Sequence, residues 1–143
     1  MKRTDYRSEN EIRRREGGCL ESQSREIAAM MRKIEKKENV FGGNGPVFME
    51  HLLDQEQLGG MCRLFNKVTL KPGSSLGYHV HEGDSEAYYI LSGEGTYNNN
   101  GETMKVVPGD VTFTKNGEGH GISNDGTEPL IMIALVINEE KRI

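Results

Sequence analysis

From residue 47 onward the chain reads as a series of short runs rich in β-formers, each closed by turn residues. The runs are 47–53, 61–70, 76–81, 86–92, 95–99, 102–107, 111–114, 119–123 and 130–137. Between them fall Pro72-Gly73, Asn100-Gly101, Pro108-Gly109, Asn116-Gly117 and Asp125-Gly126. Asn-Gly between two such runs is a strong hairpin signal, because both residues tolerate a left-handed backbone. About nine short strands with little helix predict a sandwich or barrel. The last run, Pro129 to Ile137, is apolar at odd and even positions alike. One face suits the core, and the other suits a second packed surface.

The pattern before residue 47 is different. Residues 1–21 are polar, include Arg13-Arg14-Arg15, and show no apolar period, which predicts a mobile arm or at most a fraying helix. Ile27, Met30, Met31 and Ile34 fall at i, i+3, i+4 and i+7, so a helix over about 24–38 is predicted with one apolar stripe. Ser22 or Ser24 would cap its start, and Lys36-Lys37 would suit its C-terminal dipole. That stripe is expected to dock on the barrel or on a second subunit. Gly42-Gly43-Asn44-Gly45-Pro46 then breaks the helix. The expected organisation is an arm and helix over 1–40 and a β domain over 41–143.

Composition narrows the function classes. A chain of 143 residues is one domain by size. Residues 1–40 hold 11 Lys and Arg against 8 Asp and Glu, a net of +3, which leaves −7 for the rest of a chain totalling −4. An acidic β domain suits cations and disfavours nucleic acid. The longest apolar run is far short of a membrane span. The charged opening, Met1-Lys-Arg-Thr-Asp-Tyr-Arg, is followed by no apolar stretch. Cys19 and Cys62 show no metal or redox spacing, and two thiols fit a reducing compartment. A cytoplasmic protein is expected.

Three of the four histidines sit where they can surround one ion. His79 and His81 are two apart, so on a strand they share a face at a backbone spacing of roughly 6.5 to 7 Å. Glu86 follows the turn residues 82–85 and opens the next apolar run, which brings its carboxylate back beside the imidazoles. His120 answers from downstream. Three imidazoles and one carboxylate suit divalent manganese, iron, cobalt, nickel, copper or zinc. Structural zinc sites are typically cysteine-rich and closed, so this set points to a functional site with open positions.

The spacing also resembles that of the cupins. Their first motif runs Gly, five residues, His-x-His, three or four residues, Glu, six residues, Gly, and Gly73, His79, His81, Glu86 and Gly93 fit it. The second runs Gly, five residues, Pro-x-Gly, two residues, His, three residues, Asn. Gly109, Gly117, His120 and Asn124 fit, with Lys115 in the proline's place. The resemblance covers about residues 40–138, is strongest to small single-barrel bacterial cupins, and implies a double-stranded β-helix, or jelly roll. With the helix ahead of it, the expected fold is all-β with an N-terminal α-helix.

The resemblance implies one divalent transition metal per chain on His79, His81, Glu86 and His120, and the doubly apolar terminal run together with the helix stripe predicts a homodimer. It would bind and transform a small oxygen-rich metabolite, a carboxylic acid, diketone or sugar acid, by decarboxylase, dioxygenase, isomerase or lyase chemistry. Glu86, the only carboxylate ligand, could dissociate and act as base, as related enzymes suggest. Arg63 and Lys67 are four apart on one strand, so they share a face and could hold a substrate carboxylate if that face is inward. Tyr88 shares the parity of Glu86 and is expected to line the pocket. Asn124 would orient a ligand or cap the turn at Asp125-Gly126, and His51 lies outside both motifs. The alternative is a non-catalytic module that binds or senses a small acid through the metal. The first 40 residues offer no helix-turn-helix pair, which disfavours direct DNA binding.

Overall fold

The computed structural model describes residues 18–139. The chain divides after Arg32 into two compact units. The described part of the first is a helix, α1 (Gly18–Met31). The expected helix over 24–38 is therefore corrected at both ends. Ser22 and Ser24 lie inside α1, and Ile34 belongs to a strand, β1 (Ile34–Glu38). Glu and Lys favour a helix over β-formers by at most roughly 0.7 kcal/mol per residue. A backbone ladder outweighs that: β1 pairs antiparallel with β2 (Pro46–His51), from Ile34 opposite Glu50 to Glu38 opposite Pro46. The expected arm over 1–21 falls mostly outside the described residues, as do the side chains of Ile27 and Met30.

The second unit holds ten strands among the described residues. After β2 come a one-turn helix, α2 (Gln55–Leu58), then β3 (Cys62–Leu70), β4 (Ser75–Val80), β5 (Asp84–Ser92) and β6 (Gly95–Asn99). The rest are β7 (Glu102–Val106), β8 (Val111–Thr114), β9 (Gly119–Ser123) and β10 (Leu130–Asn138). They form a six-stranded sheet, β1-β2-β3-β10-β5-β8, and a four-stranded sheet, β4-β9-β6-β7, with every pair antiparallel. This two-sheet arrangement is the expected jelly roll.

Period-two burial explains the layering. On β10, Leu130, Met132, Ala134 and Val136 are buried, and the first three join Val47, Val68, Leu70, Ile90, Tyr97 and Ile122 in one core. The outer face of the same sheet stays apolar. Val111 and Phe113 of β8 are 68 % and 52 % exposed, beside Tyr89 and Leu91 of β5 and Ile137 of β10. The Asn100-Gly101 hairpin forms as expected, with both residues at positive φ.

The turn from β1 to β2 carries the most unusual backbone. Asn39 and Phe41 sit at φ 52° and 53°, left-handed values rare outside glycine. The turn lies against β4 so closely that a Cβ on Gly77 would meet the Phe41 carbonyl oxygen at 2.0 Å. Asn44 accepts a hydrogen bond from the Ser75 amide at 2.8 Å and donates its own amide to Ser75 Oγ at 2.8 Å. Only glycine at 77 admits this contact, which seats Phe41 over the cavity.

These boundaries make a prediction about truncation. Removing residues 1–32 leaves the β1–β2 ladder whole, whereas removing 1–38 strips the edge strand. Thermal melts of the two truncations should show the longer one several degrees less stable. Equal melting temperatures would mean that β1 contributes nothing to the sheet.

Candidate metal centre

Two local features bring the donors together. His79 on β4 is directly opposite His120 on β9, where cross-strand side chains are near neighbours. The ladder shifts register between Leu76 and His79, so a bulge at Gly77-Tyr78 turns both Leu76 and His79 inward and leaves Tyr78 half exposed. His81, just past β4, is clamped by its amide to the Glu118 carbonyl at 2.9 Å and by its carbonyl to the Gly117 amide at 2.7 Å. The turn that supplies these groups closes without the family's proline, because the Glu118 amide bonds the Lys115 carbonyl at 3.0 Å. The chain then crosses at Glu82-Gly83 to the other sheet, where β5 points Glu86 and Tyr88 inward.

The four donors converge. His120 Nε2 lies 3.0 Å from His81 Nε2 and 3.1 Å from His79 Nε2. Glu86 Oε1 is 2.9 Å from His120 Nε2, 3.3 Å from His81 Nε2 and 3.9 Å from His79 Nε2. His81, Glu86 and His120 are buried and His79 nearly so. His51, by contrast, sits at the end of β2 with Nε2 3.3 Å from Glu35 Oε1 and takes no part in the group.

The opposite edges of the rings explain why such crowding persists. His79 Nδ1 donates to the Gly77 carbonyl at 2.8 Å, and His81 Nδ1 donates to Asp84 Oδ1 at 2.7 Å. Both acceptors lack hydrogens, so in neutral rings each Nε2 is left as a bare lone pair. His120 Nδ1 lies 3.0 Å from the Tyr97 hydroxyl, which lies 2.8 Å from Thr114 Oγ1. Lone pairs facing one another at 3.0–3.1 Å repel unless a proton or cation sits between them. Two donors about 2.1 Å from one cation, at right angles around it, lie about 3.0 Å apart. The donor set therefore fits a divalent cation, and each ring is oriented by a partner of the kind that fixes metal-bound histidines.

Electrostatics point the same way. Burial opposes ionisation of Glu86, but the His120, His79 and His81 rings facing it, which donate to it when they carry a proton on Nε2, outweigh burial and hold the carboxyl far below its ordinary range. Bonding to Glu86 raises His81 against the effect of burial, with Asp84 adding to the rise. Burial lowers His120 and keeps it neutral, as a metal ligand must be. Burial, with the Glu86 charge beside it, pushes the Tyr88 phenol well above its usual range, so Tyr88 stays protonated and able to donate.

A cavity of about 250 Å³ opens beside the cluster. Tyr88 lines it and stacks on His120, with ring centroids 4.9 Å apart at 17°. Arg63 lines it as well, and its guanidinium pairs with Asp84 Oδ2. Lys67 does not line it, so the expectation that Arg63 and Lys67 share a face is corrected. A β-bulge between Val136 and Ile137, opposite Leu64 and Cys62, re-aims Arg63, while Lys67 keeps its parity opposite Ile133 and Glu50. Asn124 is fully buried and serves the turn: Nδ2 donates to the Leu70 and Glu128 carbonyls, and Oδ1 accepts from the Gly126 amide.

Sequence reasoning missed several residues that shape the site. Asp84, three after His81, carried a local signal as a carboxylate in the turn. Tyr97 follows inward parity on β6 but belongs to no motif. Phe41, stacked on His79 at 3.8 Å and 15°, and Lys37, at the cavity, come from a segment with no metal motif. Asn66 reads as an ordinary polar residue in a strand, yet it is buried at the cavity wall.

Residues 66–137 match the cupin domain family. An oxalate-binding protein of Thermotoga maritima is 43 % identical over 103 residues, which is 72 % of this chain and 85 % of that protein. A crystal structure from Thermotoga maritima, described as a predicted oxalate decarboxylase, superposes with a TM-score of 0.74 at 44 % identity, covering 77 % of this chain and 96 % of that one. A Klebsiella pneumoniae protein with a double-stranded β-helix domain gives 0.56 at 25 % identity, over 66 % and 78 % of the two chains.

The geometry predicts the following metal contents. His120→Ala should abolish bound metal and His51→Ala should leave it near one per chain, as read by elemental analysis. Asp84→Asn should weaken affinity about 10- to 100-fold in chelator competition, because it removes the anion that orients His81. Equal metal content in the His51 and His120 variants would contradict the assignment.

Proposed function

The chain belongs to the cupin family, and on that premise we propose that it binds a small carboxylic acid, oxalate foremost, at a divalent cation held by His79, His81, Glu86 and His120, and transforms it there. The observation that carries this reading is the convergence of four donors at a small cavity whose wall also bears two cationic side chains, Lys37 and Arg63. On an acidic β unit, cations at this place favour an anionic ligand. The names of the Thermotoga maritima relatives support oxalate as the first acid to test. A bound divalent cation would polarise a coordinated carboxylate as a Lewis acid.

The chain's own residues would do the rest. Arg63 sits to meet a ligand oxygen while Asp84 holds its guanidinium, and the protonated Tyr88 phenol can donate to a second oxygen. Lys67 has no part in this reading. Glu86 acts first as an anionic donor. The three imidazoles that keep it ionised also make it a weak proton acceptor, so service as a base requires it to leave them. A second reading, a binding module without turnover, is favoured by the oxalate-binding relative. Cys62, a free thiol, is compatible with a reducing cytoplasmic setting.

Calorimetry with oxalate on metal-loaded and metal-stripped protein tests the proposal. Oxalate should bind only the loaded form, and absence of binding there would refute the acid reading. Release of formate and carbon dioxide from bound oxalate marks catalysis, and binding without release marks the module.

The apolar outer face of β5, β8 and β10 supports a homodimer as the working form. Light scattering at low micromolar concentration should give twice the chain mass, and Val111→Asp with Phe113→Asp should return it to the monomer mass. A monomer in the wild type would overturn this part.

A further inference from the structure

The inward side chains of β3 include Leu64, Asn66, Val68 and Leu70, and Asn66 is the polar one among them. It is 1 % exposed and lines the same cavity as His79, His81, Glu86 and Tyr88. Its Oδ1 is buried with no hydrogen-bond partner in the protein. Buried amides are nearly always hydrogen-bonded, because leaving water without compensation is costly. An asparagine serving only the fold would be tied to nearby backbone, as Asn124 is tied to Leu70, Glu128 and Gly126.

Strand register shows what Asn66 faces. Ala134 of β10 pairs with Asn66 on one side and with Tyr88 on the other. Neighbouring strands lie about 4.8 Å apart, so Asn66 and Tyr88 stand about 9.6 Å apart with one methyl group between them. That methyl leaves a trough between Asn66 and Tyr88. In the adjoining row Val136 pairs with both Leu64 and Glu86, which sets the trough beside the donor cluster. A short acid held next to Glu86 would lie along it, one end at the donors and the other toward Asn66.

We propose that Asn66 is a ligand-contacting, specificity-determining residue, whose amide hydrogen-bonds the oxygen of a bound small acid that faces away from the metal donors. Turned over about χ2, the amide meets a carboxylate oxygen through Nδ2, and as it stands it meets a hydroxyl through Oδ1, so it selects acids with a second oxygen-bearing carbon. A plain monocarboxylate has nothing to offer it. This inference rests on the acid-binding reading above.

The test uses the full-length chain loaded with manganese, as wild type, Asn66→Leu and Asn66→Asp, with elemental analysis, thermal melts and calorimetry against oxalate and acetate. Both variants should keep the metal. Asn66→Leu should bind oxalate at least tenfold more weakly and acetate within twofold of wild type. Asn66→Asp should lose still more oxalate affinity through like-charge repulsion. Asn66→Leu should melt at or above the wild type, because it removes an unpaired buried amide. Unchanged oxalate affinity in Asn66→Leu would overturn the proposal, and so would a lower melting temperature, the mark of an amide that serves the fold. If wild type bound neither acid, the oxalate reading alone would fail. Melting would then decide for Asn66: a rise supports a ligand-facing amide, and a fall overturns it.

Discussion

Three imidazole nitrogens and one carboxylate oxygen are held within 4.8 Å of one another, and the elements around the cavity position them. The rings converge because each is gripped from behind, by the Gly77 carbonyl, the Asp84 carboxylate and the Tyr97 hydroxyl. The grips on His79 and His81 fix tautomer and orientation together, that on His120 fixes orientation, and so three mobile side chains become a preformed donor set. The electrostatic tension of that set is relieved by positive charge at its centre. The ionised state of Glu86 is the local sign of this demand.

The fold and the donors were readable in the sequence because both rest on short-range periodicity. Runs of β-formers between turn residues marked nine of the ten described strands, and the two-residue step from His79 to His81 placed both rings on one side of a chain. The failures came from effects that periodicity does not carry. Ile34-Glu-Lys-Lys-Glu38 has helical composition, and only pairing with β2 makes it a strand. Arg63 and Lys67 obey strict alternation on paper, but one extra residue at a bulge separates their fates. Phe41 reaches His79 through a left-handed turn and a contact between distant glycines, neither of which leaves a local signature.

The cavity is built from unlike halves, an arrangement through which a small barrel would combine affinity with selectivity. One wall gathers the metal donors, with an aromatic ring stacked on His79 and another on His120. The remainder is largely apolar, interrupted by Asn66 on β3, with Arg63 and Lys37 as its cations. A ligand desolvated there meets its few polar partners at high strength, since little water remains to compete.

The donors also come from both layers of the sandwich. His79 and His120 belong to the four-stranded sheet, and Glu86 belongs to the six-stranded one. A cation bound by all of them is a rivet through the two layers, comparable to a disulfide in what it joins but reversible and set by solution conditions. Breathing of the sandwich and loading of the site are then one equilibrium seen from two sides. Whatever widened the gap between the layers would loosen such an ion, and its chelation would let the layers part.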